Sequence, residues 1–395
     1  MKHKGINPEK VKQTNRLVVL RQLCTHAGIS RAEITRRVGL NKMTVTNIVG
    51  ELLERGLARE QAQPHDRRSG RPPMGLFLTD QTPLFMGFWL SRDFCHGALL
   101  DMNLSLLADE RIPLGPAETP SGLIGRLTGL GRDLLAASPR PVIALGVSAI
   151  GPLDAERGLL LDPPNFFGLG HVPLGPELAS RLGLPVFLQN DMNASALAEK
   201  YFGLGMDAAH FAYVGLTNGI GAGLVVNHGL YEGTGGFAGE IGHVVIDRQG
   251  MRCHCGNRGC LETLCSVPAI LAQFERRFSQ PFSSLRQAVD FSANHPEGYR
   301  ILREACQALA LGLASLCNIM DPELLILGHE GAGLPEGLLE EIAGMVNRSV
   351  LGRRSPPIML RRSSFGSLAP LYGAGMIPLR RLLEGGLDYQ RFFPE

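Results

Sequence analysis

No run of about 18 apolar residues occurs in the chain, so no membrane-spanning helix is expected. The opening residues, MKHKGINPEKVKQ, lack the apolar core of a secretory signal. A disulfide framework is missing as well. Eight cysteines are spread over 395 residues. Five of them (Cys24, Cys95, Cys265, Cys306 and Cys317) are scattered, several in apolar patterns that suit buried thiols. These absences argue against a membrane protein or a disulfide-stapled secreted module, and point to the cytosol. Net charge is also nearly absent, at +2. What remains is 44% hydrophobic and 19% charged, the balance of a soluble globular protein long enough for two or three domains.

The small net charge hides an uneven distribution. Residues 1–75 carry 15 Lys and Arg against six Asp and Glu, leaving 24 against 31 in the rest. A basic N-terminal module on an acidic body suggests a polyanionic partner for that module. Its pattern is helical. Leu17, Val18, Leu20 and Leu23 mark a helix from about 16 to 26, and Ser30 with Glu33 forms a capping box for a short second helix. Gly39 and Leu40 make a turn, and Asn41 caps a third helix whose buried stripe is Val45, Ile48, Val49 and Leu52. This order predicts a helix-turn-helix. Asn41, Lys42, Thr44, Thr46 and Asn47 start the third helix, the end that enters a major groove. Strands near 57–59 and 76–78 would form a wing, with Arg67, Arg68 and Arg71 at a tip suited to a minor groove. A small helical protein-interaction domain is the alternative.

From Pro83 onward strands and helices alternate in two successive blocks, which predicts a two-lobed α/β body. Polar groups fall at strand ends, where such sheets bind ligands. One stretch, GGFAGEIGHVVIDRQGMRCHCGNRGCLE (235–262), stands apart. His243, Cys253, Cys255 and Cys260 are a set of four N/S ligands, the composition of a closed structural Zn2+ site. Gly250, Gly256 and Gly259 would supply the turns that bring three thiolates to one ion. Glu240, His243 and Glu262 flank the loop and can be aimed at a small ligand. The alternative is a Cys-rich turn without metal.

These segments resemble the ROK family, named for repressors, open reading frames and kinases. GHVVIDRQGMRCHCGNRGCLE is similar to its zinc signature, QNDMNASALAE (189–199) to its sugar and catalytic motif, and GTGGFAGEIGH (233–243) to its second sugar motif. The resemblance implies an N-terminal winged helix-turn-helix followed by an actin-like, hexokinase-like (ribonuclease H-like) body with a sugar cleft between its lobes. The domain reading is then 1–80 for DNA binding, 81–192 for a first lobe rejoined by a helix at about 376–395, and 193–375 for a second lobe with the zinc site. Asn190, Asp191, Glu240, His243 and Glu262, and Asn165 in PNFFG, would contact sugar hydroxyls. Asp191 also reads as a simple helix N-cap. One zinc ion per chain would be structural, with His243 joining metal and sugar.

The expected function is a sugar-responsive repressor of the bacterial cytosol or nucleoid. It would be a homodimer or homotetramer on a palindromic operator, with a mono- or disaccharide effector. A sugar kinase with an appended DNA-binding domain is the alternative, and a body that answers to a protein partner is a third reading. The kinase motif DxGGTK should fall at 89–94, where this chain reads WLSRDF. Without the glycines backbone amides cannot cradle phosphate, and Asp93 adds negative charge there. No catalytic residue is therefore expected.

Overall fold

The computed structural model describes residues 8–62, 74–352 and 355–387. The chain opens with three helices, α1 (Pro8–Thr25), α2 (Arg31–Val38) and α3 (Lys42–Glu54). Local chemistry sets their ends. The Glu33 amide donates to Ser30 Oγ at 3.2 Å and the Ser30 amide donates back to Glu33 Oε2 at 3.0 Å, closing the capping box. Gly39 ends α2 in the left-handed region, and Asn41 Oδ1 accepts the Thr44 amide at 2.8 Å to start α3. Leu20, Leu23, Ile34, Val45, Val49 and Leu52 are fully buried between the three helices. Helix α1 begins at Pro8 rather than near Arg16, because residues 9–12 are helical yet exposed and so carry no apolar period. A hairpin follows, β1 (Ala58–Ala62) and β2 (Met74–Leu78), paired from Ala58 with Leu78 to Ala62 with Met74. A further bridge from Ile29 to Leu76 ties it to the turn before α2. The expected wing tip, with Arg67, Arg68 and Arg71, lies outside the described residues.

The body begins with β3 (Leu84–Leu90), β4 (Phe94–Leu100), β5 (Leu106–Pro113), α4 (Pro120–Ala137) and β6 (Val142–Ala149). Then come a short hairpin, β7 (Leu153–Asp154) and β8 (Leu159–Leu160), α5 (Leu174–Leu182), β9 (Val186–Asn190) and α6 (Asp191–Phe202). A second set follows: β10 (Phe211–Leu216), β11 (Ile220–Val226), β12 (Gly229–Tyr231), α7 (Glu262–Cys265), α8 (Val267–Phe278), α9 (Leu285–Ser292) and α10 (Pro296–Met320). The chain closes with β13 (Leu324–His329), α11 (Glu336–Ser349), β14 (Met359–Arg362) and α12 (Ala369–Leu383). The two five-stranded sheets run β5-β4-β3-β6-β9 and β12-β11-β10-β13-β14. Each is an antiparallel meander of three with two later strands added beside its first member, so the same order is used twice.

Contacts divide the chain into two units: 1–147, 173–188 and 374–395 form one, 148–172 and 189–373 the other. The stretch 148–172 thus groups with the second unit and not with 81–192, since after β6 the chain leaves the first sheet to build the β7–β8 hairpin. In the first unit the turn between β4 and β5 reaches the helix-turn-helix. Asn103 Nδ2 donates to the carbonyls of Cys24 at 2.6 Å and Leu23 at 3.3 Å, closing the C-terminal end of α1. Asp101 Oδ1 locks that turn by accepting the amides of Asn103 and Ser105, each at 2.8 Å.

In the second unit β10 is buried on both faces. Ala212, Val214 and Leu216 join α8–α11, while Phe211 and Tyr213 meet Met192 and Ala196 of α6. His329, at the end of β13, is buried with Nδ1 3.0 Å from the Tyr213 hydroxyl, and burial pushes its pKa from 6.5 down to about 3. The folded state therefore keeps His329 neutral where the unfolded chain would be protonated. Its contribution is complete above pH 6.5 and is lost as pH falls toward 3, at up to about 1.4 kcal/mol per pH unit. His329→Asn is expected to flatten the acid limb of stability against pH, measured by urea unfolding between pH 6 and 4; an unchanged slope would contradict this.

Candidate functional site: a polar cavity and a thiol cluster

A cavity of about 430 Å³ lies in the second unit, walled by the segment 151–156, Leu161, the β9–α6 junction, the loop 232–237 and Glu240. The junction is built by amide chemistry. Asn190 Oδ1 accepts the amides of Met192 at 2.9 Å and Asn193 at 3.3 Å, so Asn190 is the N-cap of α6. With its oxygen committed, its NH2 group faces Gly151, where an added methyl carbon would lie 3.3 Å from Nδ2. Gln189 donates to Glu232 Oε1 at 2.7 Å, tying the strand end to the glycine-rich loop. Glu240 holds its carboxyl above the ordinary range: loss of water around it is the main cause, Glu262 raises it further, and His243 opposes the rise.

The residues expected to hold a sugar divide. Asn190 and Glu240 are on the cavity wall. Asp191 is buried just behind, the first residue of α6 and not its cap; its Oδ1 accepts the Met192 amide at 3.0 Å. Asn165 is exposed in a loop after β8, with φ 58°, and is not among the lining residues. His243 and Glu262 lie in the thiol cluster and are not among the lining residues. The wall also includes Asp154, Glu156, Gln189, Glu232 and Thr234, which the sequence reading did not select. Gln189 and Glu232 adjoin segments already singled out. Asp154 and Glu156 follow the strand end at 148–152, a position where open α/β sheets bind ligands.

The cluster brings His243, Cys253, Cys255 and Cys260 together, with one ligand atom from each within 4.8 Å of the others. Cys253 Sγ is 3.6 Å from His243 Nδ1, and Cys255 Sγ is 3.6 Å from Cys260 Sγ. A tetrahedron with metal–sulfur bonds of about 2.3 Å has edges of roughly 3.8 Å, so the four donors fit one ion. Gly259, with φ 68°, allows the return turn; a side chain there would strike the Asp247 carbonyl oxygen at 1.5 Å. A second set shares two members: His243, Cys253, His254 and Glu262. Glu262 Oε1 accepts from the Cys253 thiol at 2.9 Å. Burial raises the Cys253 and Cys260 thiols, whereas a hydrogen bond from the Asn257 amide lowers Cys255. Two reluctant thiols and one willing one suit a site where a cation completes deprotonation.

In the helix-turn-helix, Lys42 and Asn47 are exposed and Thr44 and Thr46 half-buried. Asn41 is exposed but its Oδ1 is engaged as the cap, so pairing both amide atoms with adenine would cost the cap. Met43 is 71% exposed at the same end, an apolar group suited to a thymine methyl that the polar pattern did not single out. At the turn between β3 and β4, the Ser91 amide donates to the Phe94 carbonyl at 2.9 Å. Trp89 packs edge-on against Phe94 with centroids 4.8 Å apart, and the Arg111 guanidinium lies 3.6 Å over the Phe94 ring.

A helix-turn-helix joined to an α/β body with twice-used strand order defines a DNA-binding module carried on an actin-like, hexokinase-like fold. The chain belongs to the ROK family, whose sequence model matches residues 91–380, while residues 13–69 match that of the MarR family. The xylose repressor of Caldicellulosiruptor bescii is 30% identical over 87% of this chain and 89% of its own. A solved ROK family transcriptional regulator, homolog of the E. coli MLC protein, superposes with a TM-score of 0.79 at 28% identity, over 95% of this chain and 97% of that one. The ROK hexokinase from Thermus thermophilus superposes at 0.64 with 30% identity, over 74% of this chain and 97% of its own.

Cys260→Ser is expected to weaken metal retention by at least ~10-fold, read as bound zinc across a chelator series. Retention equal to the parent protein would remove Cys260 from the ligand set.

Proposed function

We propose that this protein is a sugar-responsive transcriptional regulator, a repressor whose grip on operator DNA changes when a mono- or disaccharide occupies the cavity. The observation that carries this reading is the presence, in one chain, of a basic helix-turn-helix and a cavity of about 430 Å³ rich in carboxylates and amides. Carboxylates each accept from adjacent hydroxyls, and amides both donate and accept, which is what a sugar requires in a dry site. The likeness to a xylose repressor and to a ROK family transcriptional regulator supports the same reading.

In this proposal residues 1–80 bind DNA, with Lys42, Thr44, Thr46 and Asn47 of α3 in the major groove and Arg67, Arg68 and Arg71 in the minor groove. A homodimer or homotetramer would place two α3 helices one DNA turn apart on a palindrome. Asn190 and Glu240 would contact the sugar, joined by Gln189 and Glu232, while Asp191 supports Asn190 from behind. The ion of the thiol cluster would be zinc, one per chain, bound through His243 Nδ1 and holding the loop that carries Glu240. Effector and DNA are linked only as far as sugar binds the two DNA-binding states unequally; a full reversal from 99:1 to 1:99 needs about 5.5 kcal/mol.

No phosphotransferase activity is proposed. The β3–β4 turn, Ser91-Arg92-Asp93, lacks the glycines that a phosphate cradle needs, and beside it Trp89 and Arg111 pack against the Phe94 ring. The glycines of β10 and β11, Gly215, Gly221 and Gly223, are accounted for by close packing of Met192 against them.

Two measurements test the proposal. Selection from a random duplex pool should recover a palindrome, and an effective sugar from a panel should shift its Kd at least ~10-fold. Lys42→Ala should weaken that DNA ~10-fold with sugar binding unaltered. A palindrome bound equally with every sugar, or Lys42→Ala binding DNA as the parent does, would overturn the respective part. Separately, ATP with any hexose or amino sugar should give no turnover; turnover that Asp191→Asn abolishes would establish a kinase.

A further inference from the structure

The cavity wall is one-sided in charge. Asp154, Glu156, Glu232 and Glu240 supply four carboxyl groups, and none of the described residues lining it is Lys, Arg or His. Three carboxylates remain if Glu240 is set aside. The single Arg of the β7–β8 hairpin, Arg157, is not a lining residue; its amide donates to Asp154 Oδ1 at 3.0 Å and its guanidinium lies 3.8 Å from Asp154 Oδ2. The remaining side-chain donors on the wall are neutral amides and the Thr234 hydroxyl. Acceptors therefore dominate, and they match a ligand that brings many O–H donors.

A helix N-terminus beside a glycine-rich loop is ordinarily a place for phosphate. Here that option is closed from within. Asn190 Oδ1 already takes the Met192 and Asn193 amides, and Asp191 sets its own carboxyl in the first turn. The positive end of α6 is thus capped and neutralised before any ligand arrives. In the loop 232–237, Glu232 stands at the head of the glycine amides and is held there by Gln189.

We infer that the ligand of this cavity is an uncharged, hydroxyl-rich sugar, and that the phosphate ester of the same sugar is excluded. The inference rests on the sugar reading above and narrows it: the protein would sense free sugar and ignore the product of its phosphorylation. A phosphate offers acceptors to acceptors and adds about two negative charges to a wall that has no cation to meet them.

The test is calorimetric titration with matched pairs at fixed ionic strength: xylose and xylose 5-phosphate, glucose and glucose 6-phosphate, N-acetylglucosamine and its 6-phosphate. In whichever pair binds, the free sugar should bind at least ~30-fold more tightly than the ester. The ratio should shrink in 0.5 M salt as screening sets in, and Glu156→Lys, on an exposed turn, should narrow it at least ~3-fold. An ester that binds as tightly as its sugar, or more tightly, overturns the inference while leaving a sugar-family ligand in place. No binding by any member overturns the sugar reading itself, and the inference with it.

Discussion

The amide of Asn190 is the constraint around which the second unit is arranged. One side chain does two things: its oxygen satisfies the first amides of α6, and its nitrogen faces Gly151 on the cavity wall. Helix α6 cannot slide without breaking that cap, because its far end is fixed as well. Glu199 Oε1 accepts from Ser363 Oγ at 2.6 Å and the Ser364 amide at 2.7 Å. Lys200 Nζ donates to the carbonyls of Gly205, Met206 and Ala208 at 3.0, 2.8 and 2.8 Å. A buried carboxylate and a buried ammonium are tolerable only when satisfied in this way. The cavity donor is therefore held by a rod that is pinned at both ends.

The cavity and the thiol cluster are neighbours in sequence and share electrostatics. Glu240 answers to the charges of His243 and Glu262, and Glu262 in turn accepts from Cys253. An ion in the cluster would place positive charge beside both carboxyls and fix the imidazole through Nδ1. In the proposed reading, an ion bound at the cluster would set the orientation of Glu240, the group on the loop that lines the cavity.

Much of this was legible in the sequence where the information is local. Ser30, Glu33, Gly39 and Asn41 fix the first helices within a few residues of themselves, and the four cluster ligands fall within a short stretch. The cavity wall was less legible because it is assembled from three separated segments. Asp154, Glu156 and Glu232 acquire meaning only when the β7–β8 hairpin and the loop after β12 face one another. The sequence offers Asp191 as a helix cap, but the cap falls one residue earlier: the backbone at Asn190 is still extended (φ −60°, ψ 142°) and its side chain takes the first amides of α6.

Asn103 bears on how such proteins can be recombined. The helix-turn-helix is joined to the body not only through the linker near Pro83 but also by that amide, which finishes α1 from the β4–β5 turn. A cut at residue 80 would separate a helix from its own terminator. Engineers who graft foreign sensing bodies onto this DNA-binding module would need to supply a donor at the same place, or accept a frayed first helix beside α3. The seam between the two parts is thus a shared structural element, and interchangeability is a property of the pair.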